Sequence, residues 1–81
     1  MVKFENLNIG DLLFYRRAAR NGVFFDSVLI TAFPKHGGVN HARLEWMGSH
    51  IGGYTGDYDE YSYYSLGLYE KDEVLYELQH R

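Results

Sequence analysis

The chain has 81 residues, a formal net charge of −3 and no cysteine. A chain of this length is expected to form a single domain, residues 1–81, with one hydrophobic core. Without cysteine, disulfides and Cys-ligated zinc are excluded, and packing must hold the fold together. No apolar run approaches the roughly 20 residues of a membrane span, and the first residues lack a secretory signal pattern. We therefore expect a soluble, cytoplasmic protein.

The charges are distributed unevenly along the chain. Arg16, Arg17 and Arg20 cluster early, whereas the C-terminal half is acidic. A protein that binds duplex nucleic acid is expected to carry a basic stripe and a basic isoelectric point. The isoelectric point of this chain is about 5.7. The composition therefore argues against duplex nucleic acid as a partner.

Three segments of the first half are predicted to be strands. Asp11 to Arg17 favours β structure and precedes Asn21-Gly22, a dipeptide that favours a tight hairpin. Val23 to Phe33 is apolar on both faces, which is typical of a central strand or of one bent through a small barrel. Val39 to Met47 alternates between apolar and polar residues, with Ala42, Leu44 and Trp46 on one face. That alternation predicts a half-buried strand.

The second half is less regular. Gly48 to Gly56 contains four glycines in nine residues, which predicts a loop. Leu66 to Tyr69 is a candidate for a further strand. The C-terminal segment fits a strand, with Val74, Tyr76 and Leu78 on one face, or a helix with acidic residues at its start. We expect a short helical turn at Lys71 to Glu73 followed by a strand, with a full helix as the alternative.

About five short strands joined by glycine-marked turns predict a mainly β protein, or an α+β protein if the C-terminus is helical. A small antiparallel barrel is the expected architecture, since closing the sheet removes exposed edges. The segment LNIGDLLFY, Leu7 to Tyr15, resembles the first strand of SH3-like small barrels, in which a Gly-Asp turn introduces the strand. The resemblance implies a binding module rather than an enzyme. The usual peptide-binding residues of SH3 domains, an Ala-Leu-Tyr-Asp-Tyr run and paired tryptophans, are absent, so no residue role transfers to this chain.

The segment GGYTGDYDEYSYY, residues 52–64, contains five of the eight tyrosines and three carboxylates. Tyrosine offers a large, rigid contact surface with a polar tip, and neighbouring carboxylates would select a basic partner. The predicted protein-binding residues are Tyr54, Asp57, Tyr58, Asp59, Glu60, Tyr61 and Tyr63. The alternative is that some of these rings fill the core and that the acids are merely solvated.

The expected function is non-enzymatic binding of another protein with a basic surface. Small acidic chains without catalytic motifs are typical of phage and mobile-element proteins that inhibit a host factor, and this analogy suggests such a role in the host cytoplasm. A homodimer is a further possibility, because exposed aromatic rings beside a sheet edge can be buried in a symmetric interface.

A second binding hypothesis concerns the basic residues. Arginine side chains can pair with phosphates while an aromatic ring stacks on a base, as in a protein that sequesters a nucleotide or cyclic nucleotide. The candidate residues for this alternative are Arg16, Arg17, Arg20, Arg43 and Trp46.

Catalytic and metal-binding patterns are not found in the sequence. It contains no G-x-S-x-G elbow, no phosphate-binding G-x-x-x-x-G-K-[ST] loop and no cysteine nucleophile. His36, His41 and His50 lie within fifteen residues, but their spacing matches no metal-ligand pattern. We therefore predict no enzyme activity, no metal site and no cofactor.

Overall fold

A computed structural model describes residues 1–47 and 54–80 of the chain. The protein is mainly β, as predicted: an antiparallel sheet curls into a half-barrel, and a helix follows at the C-terminus. The described residues form strands β1 (Leu12–Ala19), β2 (Gly22–Ala32), β3 (Lys35–His36), β4 (Val39–Met47), β5 (Thr55–Asp59) and β6 (Leu68–Tyr69), helices α1 (Glu60–Leu66) and α2 (Lys71–Gln79), and a 3-10 turn at Phe4–Asn6. None of the helices in this part of the chain is long and apolar enough to cross a membrane. The curled sheet agrees with a small barrel-like fold, while the more specific SH3-like resemblance stays a prediction.

β2 lies at the centre of the sheet, as its two apolar faces predict. It pairs with β1 on one side and with β4 on the other. β4 pairs in turn with β3 and β5, and β6 pairs with the other edge of β1. Between β2 and β4 the register shifts, because Ile30 lies opposite Leu44 but Ala32 lies opposite Arg43. The extra residue, Thr31, bends the strand and increases its twist, which helps the sheet to curl.

The predicted β1–β2 hairpin is confirmed, although its turn lies one residue earlier than expected. Ala19 is paired with Gly22, so Arg20 and Asn21 are the two loop residues. Gly22 begins β2 with a φ of 140°, a conformation that L side chains rarely adopt. Glycine is therefore required at the start of β2 rather than within the turn.

The hydrophobic core fills most of the concave face of the sheet. The alternation predicted for β4 is confirmed, since Ala42, Leu44 and Trp46 are buried on this face. The core side chains from the other two long strands are Leu13, Val28 and Ile30. Phe4 from the N-terminal turn and Tyr63 from α1 pack over them, with their rings edge to face at 5.5 Å.

The tyrosine-rich segment, residues 52–64, includes strand β5 and the first part of helix α1. Residues 48–53 of the predicted Gly48 to Gly56 loop lie outside the described residues, and the chain beyond Tyr54 forms β5 and then α1. The Asp59 carboxylate caps α1 by accepting a hydrogen bond from the Ser62 amide at 2.7 Å. Gly67, with a φ of 65°, ends the helix in the left-handed conformation that favours glycine.

The C-terminal segment is a full helix, so the strand predicted there is wrong and the alternative is correct. A capping box begins the helix: the Glu70 amide donates to Glu73 Oε1 at 3.0 Å, and the Glu70 side chain accepts from the Glu73 amide. Glu73 also pairs with the N-terminal ammonium at 2.8 Å. Val74 is the buried residue of α2. Local capping and one buried contact thus override the period-two pattern of the segment.

We expect Tyr63→Ala to lower the free energy of unfolding by about 3–5 kcal/mol, because it leaves a cavity where a fully buried ring stood. Tyr61→Ala is the matched control on the same helix, with an 84% exposed side chain, and should change stability by less than about 0.5 kcal/mol. Urea unfolding followed by Trp46 fluorescence measures both changes. Equal effects of the two substitutions would show that Tyr63 is not in the core.

Candidate binding surface

Tyr63 belongs to the core, so its predicted role as a contact residue is corrected. Its side chain is fully buried, and its hydroxyl donates a hydrogen bond to the Val2 carbonyl oxygen at 2.9 Å. Burial raises the pKa of the Tyr63 phenol above its usual range. Tyr64 lies beside it, where its hydroxyl accepts from the Phe4 amide at 2.9 Å. Both rings tie α1 to the N-terminal turn.

Two of the three predicted acidic contact residues have structural partners. Asp57 accepts two hydrogen bonds from Arg43, at 2.7 and 3.1 Å, and lies 3.3 Å from the Nε2 of His36. Asp59 caps α1. Glu60 and Tyr61 are exposed at the start of α1. Of the three carboxylates predicted to select a basic partner, Glu60 is therefore the one without a structural role among the described residues.

Strand alternation divides the predicted surface between two faces of the sheet. Tyr58 lies opposite the buried Ala42, so the Tyr58 side chain is on the concave face. Asp57, the neighbouring residue, lies opposite Arg43 and is on the outer face. Tyr54, Tyr58 and Asp57 therefore cannot form one continuous contact surface.

At one end of the concave face the core continues into a group of aromatic side chains, of which Phe24 and Tyr54 are exposed. We name as the aromatic end the residues Tyr15, Phe24, Trp46, Tyr54 and Tyr58, together with the Arg17–Asp26 ion pair. Tyr15 meets Trp46 edge to face, with ring centroids 5.2 Å apart. Tyr54 is 52% exposed, and Phe24 is exposed as well.

Gly56 allows the rings of Tyr54 and Tyr58 to converge. A Cβ atom at position 56 would lie 2.9 Å from Cε2 of Tyr58 and 3.3 Å from Cε1 of Tyr54. Real Cβ atoms essentially never have a neighbour closer than 3.0 Å, so the Tyr58 ring would have to shift if position 56 carried a side chain. The absence of a side chain at this position thus shapes the aromatic end.

The hydroxyl and indole groups of the aromatic end interact. Burial raises the pKa of Tyr58, the Tyr54 hydroxyl raises it further, and the Trp46 indole acts in the opposite direction. Trp46 is only 7% exposed, and its Nε1 donates no hydrogen bond to any acceptor in the described part of the chain. A buried donor without an acceptor costs about 1–3 kcal/mol. The Trp46 indole therefore lies close enough to the Tyr58 hydroxyl to lower its pKa, although no hydrogen bond of standard geometry joins them.

An ion pair borders the aromatic end. Asp26 is 5% exposed, lies opposite Tyr15 in the sheet, and accepts a hydrogen bond from Arg17 Nε at 3.2 Å. The Arg17 guanidinium also lies over the Phe24 ring, 4.9 Å from its centroid. Sequence analysis missed Tyr15, Phe24 and Asp26 as site residues. Tyr15 could have been predicted from the sequence, because strand alternation places it on the same face of β1 as Leu13 and Arg17.

The arginines proposed for nucleotide binding do not converge on one pocket. Arg16 and Arg43 project from the outer face, where Arg16 pairs with Glu77 at 2.8 Å and Arg43 with Asp57. Arg17 is on the concave face with Trp46, and Arg20 is in the exposed hairpin turn. The nucleotide site predicted from these residues is therefore not assembled as one cluster.

Histidine rings make two close aromatic contacts among the described residues, and one of them is the stacking of His80 on Tyr76 at 4.0 Å. The rings of His36 and His41 meet edge to face with centroids 4.6 Å apart. Across residues 1–47 and 54–80, no group of three or more His, Asp or Glu side chains is arranged to hold a metal ion. His50 lies outside these ranges.

Comparisons of the chain with protein-family models, curated proteins and solved structures found no match. The candidate site therefore rests on its geometry alone.

Acid should lower the stability of the fold by protonating Asp57, which pairs with Arg43 on the outer face of the sheet. Hydrogen bonds from Arg43 lower the pKa of Asp57 from 3.8 to about 2. Because the folded-state pKa is lower than the unfolded one, the stabilisation by this pair is present above pH 3.8 and is lost as the pH falls through about 2. Melting temperatures of the wild type and Asp57→Asn should differ at pH 6 and converge near pH 2. A constant difference across this range would contradict the assignment.

Proposed function

We propose that this chain is a non-catalytic binding protein that captures another protein through the aromatic end. The observation that carries the proposal is the grouping of Tyr54, Tyr58 and Trp46 around Gly56, beside an exposed Phe24. Tyrosine and tryptophan are enriched among the residues that dominate interface energies. They bury a large area while few rotamers are frozen.

The packing of Trp46 and Tyr58 against their neighbours supports this proposal. Trp46 and Tyr58 stand on neighbouring strands, and Trp46 is wedged against Tyr15. Rings that are already positioned lose little conformational entropy when a partner binds.

The proposed partner is a protein with a basic surface. The net charge of −3 would speed the approach of such a partner. We retain the proposal that the chain inhibits its partner by covering a functional surface, as small acidic proteins of phages and mobile elements do. Glu60 and Tyr61, which are exposed at the start of α1, lie outside the aromatic end and have no part in the proposed interface.

Site-specific photo-crosslinking in cells of the source organism tests the proposal. A benzophenone amino acid at position 54 should crosslink to one dominant protein, because Tyr54 is exposed at the centre of the proposed interface. The same amino acid at position 61 is the matched control, since Tyr61 is also exposed but lies on α1. Mass spectrometry of the crosslinked bands identifies the partner.

Gly56→Ala, made in the crosslinking variant with position 54 substituted, should reduce the yield of that product, because the added methyl group displaces the rings. Circular dichroism of the same variant checks that the sheet is retained. Equal yields from positions 54 and 61, or a dominant product only from position 61, would move the interface away from the aromatic end. A crosslink only to a second copy of the chain would replace the proposal with a homodimer.

A further inference from the structure

A groove of about 680 Å³ lies on the other side of the molecule, between α2 and the outer face of the sheet. Three aromatic residues line it: Phe25 on β2, Tyr69 on β6 and Tyr76 on α2. Its volume is within the range of pockets that enclose small ligands or single side chains, roughly 300–1,000 Å³. None of these aromatic residues belongs to the aromatic end.

The polar lining of the groove is predominantly acidic. Asp72, Glu73 and Glu77 line it, against a single cation, Arg16. Glu77 pairs with Arg16, and Glu73 pairs with the N-terminal ammonium. Asp72 is exposed and has no ion pair or hydrogen bond within residues 1–47 and 54–80. Of the three carboxylates that line the groove, Asp72 is therefore the one that forms no ion pair among the described residues.

We propose that this groove binds a lysine or arginine side chain of a partner protein. Asp72 supplies the countercharge. Phe25 and Tyr69 contact the alkyl stem, and the cationic head contacts the face of Tyr76 opposite the one that stacks on His80. A cation over an aromatic ring is attracted by the negative charge of the ring face. The combination of one unpaired carboxylate with aromatic walls is complementary to a single cationic chain, not to an anion or a neutral ligand.

The surroundings of the groove favour a protein over a free amine. Leu75 and Leu78 are exposed on α2, the helix that supplies Asp72 to the groove, and Leu75 lies about one turn after Asp72. A small amine in the groove would leave these side chains in water, whereas a peptide segment that presents the cation would cover some of them. The occupant is therefore a segment in which a basic residue is flanked by apolar ones.

Chemical-shift titration of the full chain tests this inference with three probes. The first is the peptide Ac-Gly-Leu-Ser-Lys-Ser-Leu-Gly-NH₂, the second replaces its lysine with norleucine, and the third is n-butylammonium chloride. The lysine peptide should shift the amide signals of Arg16, Phe25, Tyr69 and Asp72, and should bind about fivefold more tightly than the norleucine peptide. It should also bind more tightly than butylammonium, which lacks the apolar flanks.

Two variants locate the effect. Asp72→Asn preserves the shape of an exposed side chain and should reduce the affinity of the lysine peptide to that of the norleucine peptide. Tyr76→Leu keeps apolar bulk but removes the ring, and should weaken the lysine peptide selectively. Glu60→Gln, an exposed carboxylate on α1, is the matched control and should change nothing.

Three outcomes would overturn the inference. Equal affinity for the lysine and norleucine peptides would show that the cation does not contribute to binding. Unchanged binding to Asp72→Asn would show that Asp72 does not supply the countercharge. Equal binding of butylammonium and the lysine peptide would assign the groove to a small amine. Asp72→Asn should leave crosslinking from position 54 intact, and Tyr54→Ala should leave lysine-peptide binding intact, so the two proposals fail separately.

Discussion

The burial of Tyr63 on the concave face is the interaction on which the rest of the structure depends. Its ring packs against Phe4 and its hydroxyl satisfies the Val2 carbonyl, so one side chain fixes both α1 and the N-terminal segment to the sheet. A half-barrel exposes its concave apolar face unless another element covers it. Here the core under this cover includes Leu13 and Ile30, whereas Phe24 and Tyr54 of the aromatic end stay exposed. The aromatic end therefore begins where α1 and the N-terminal segment no longer pack on the concave face.

The two proposed surfaces follow from the alternation of side chains across one sheet. On the concave face, Gly56 lets two tyrosine rings gather beside Trp46. On the outer face, α2 stands away from the sheet far enough to leave a groove with Asp72 at its edge. Arg16, Arg17 and Arg43 each form an ion pair with a different element, namely α2, β2 and β5. The basic residues are therefore spread over the molecule and do not form one cluster. The two proposed surfaces, on opposite faces of the sheet, would together hold a basic partner in one orientation.

The sheet was predictable from the sequence to a large extent, and the helices were not. The period-two pattern of Ala42, Leu44 and Trp46 determined both the strand and its buried face, because a strand packed on one side requires that pattern. α1 is rich in tyrosine and serine, which have only modest helix propensity, and its formation depends on the tertiary burial of Tyr63. Glu70 and Glu73 did carry a local signal for α2, the capping box, whereas Val74 and Leu78 fit either structure. The site was predicted only in part, since the division of Tyr58 from Asp57 requires knowing that both lie in a strand.

Nitration of tyrosines by tetranitromethane, followed residue by residue with mass spectrometry, tests the central claim most directly. Modification of a phenol requires access of the reagent to the ring. The account predicts rapid nitration of Tyr61 and Tyr54, slower nitration of Tyr58, and protection of Tyr63 until the protein unfolds. Nitration of Tyr63 at the rate of Tyr61 in the folded protein would contradict the account, because α1 would then not close the core and the aromatic end would have no fixed boundary.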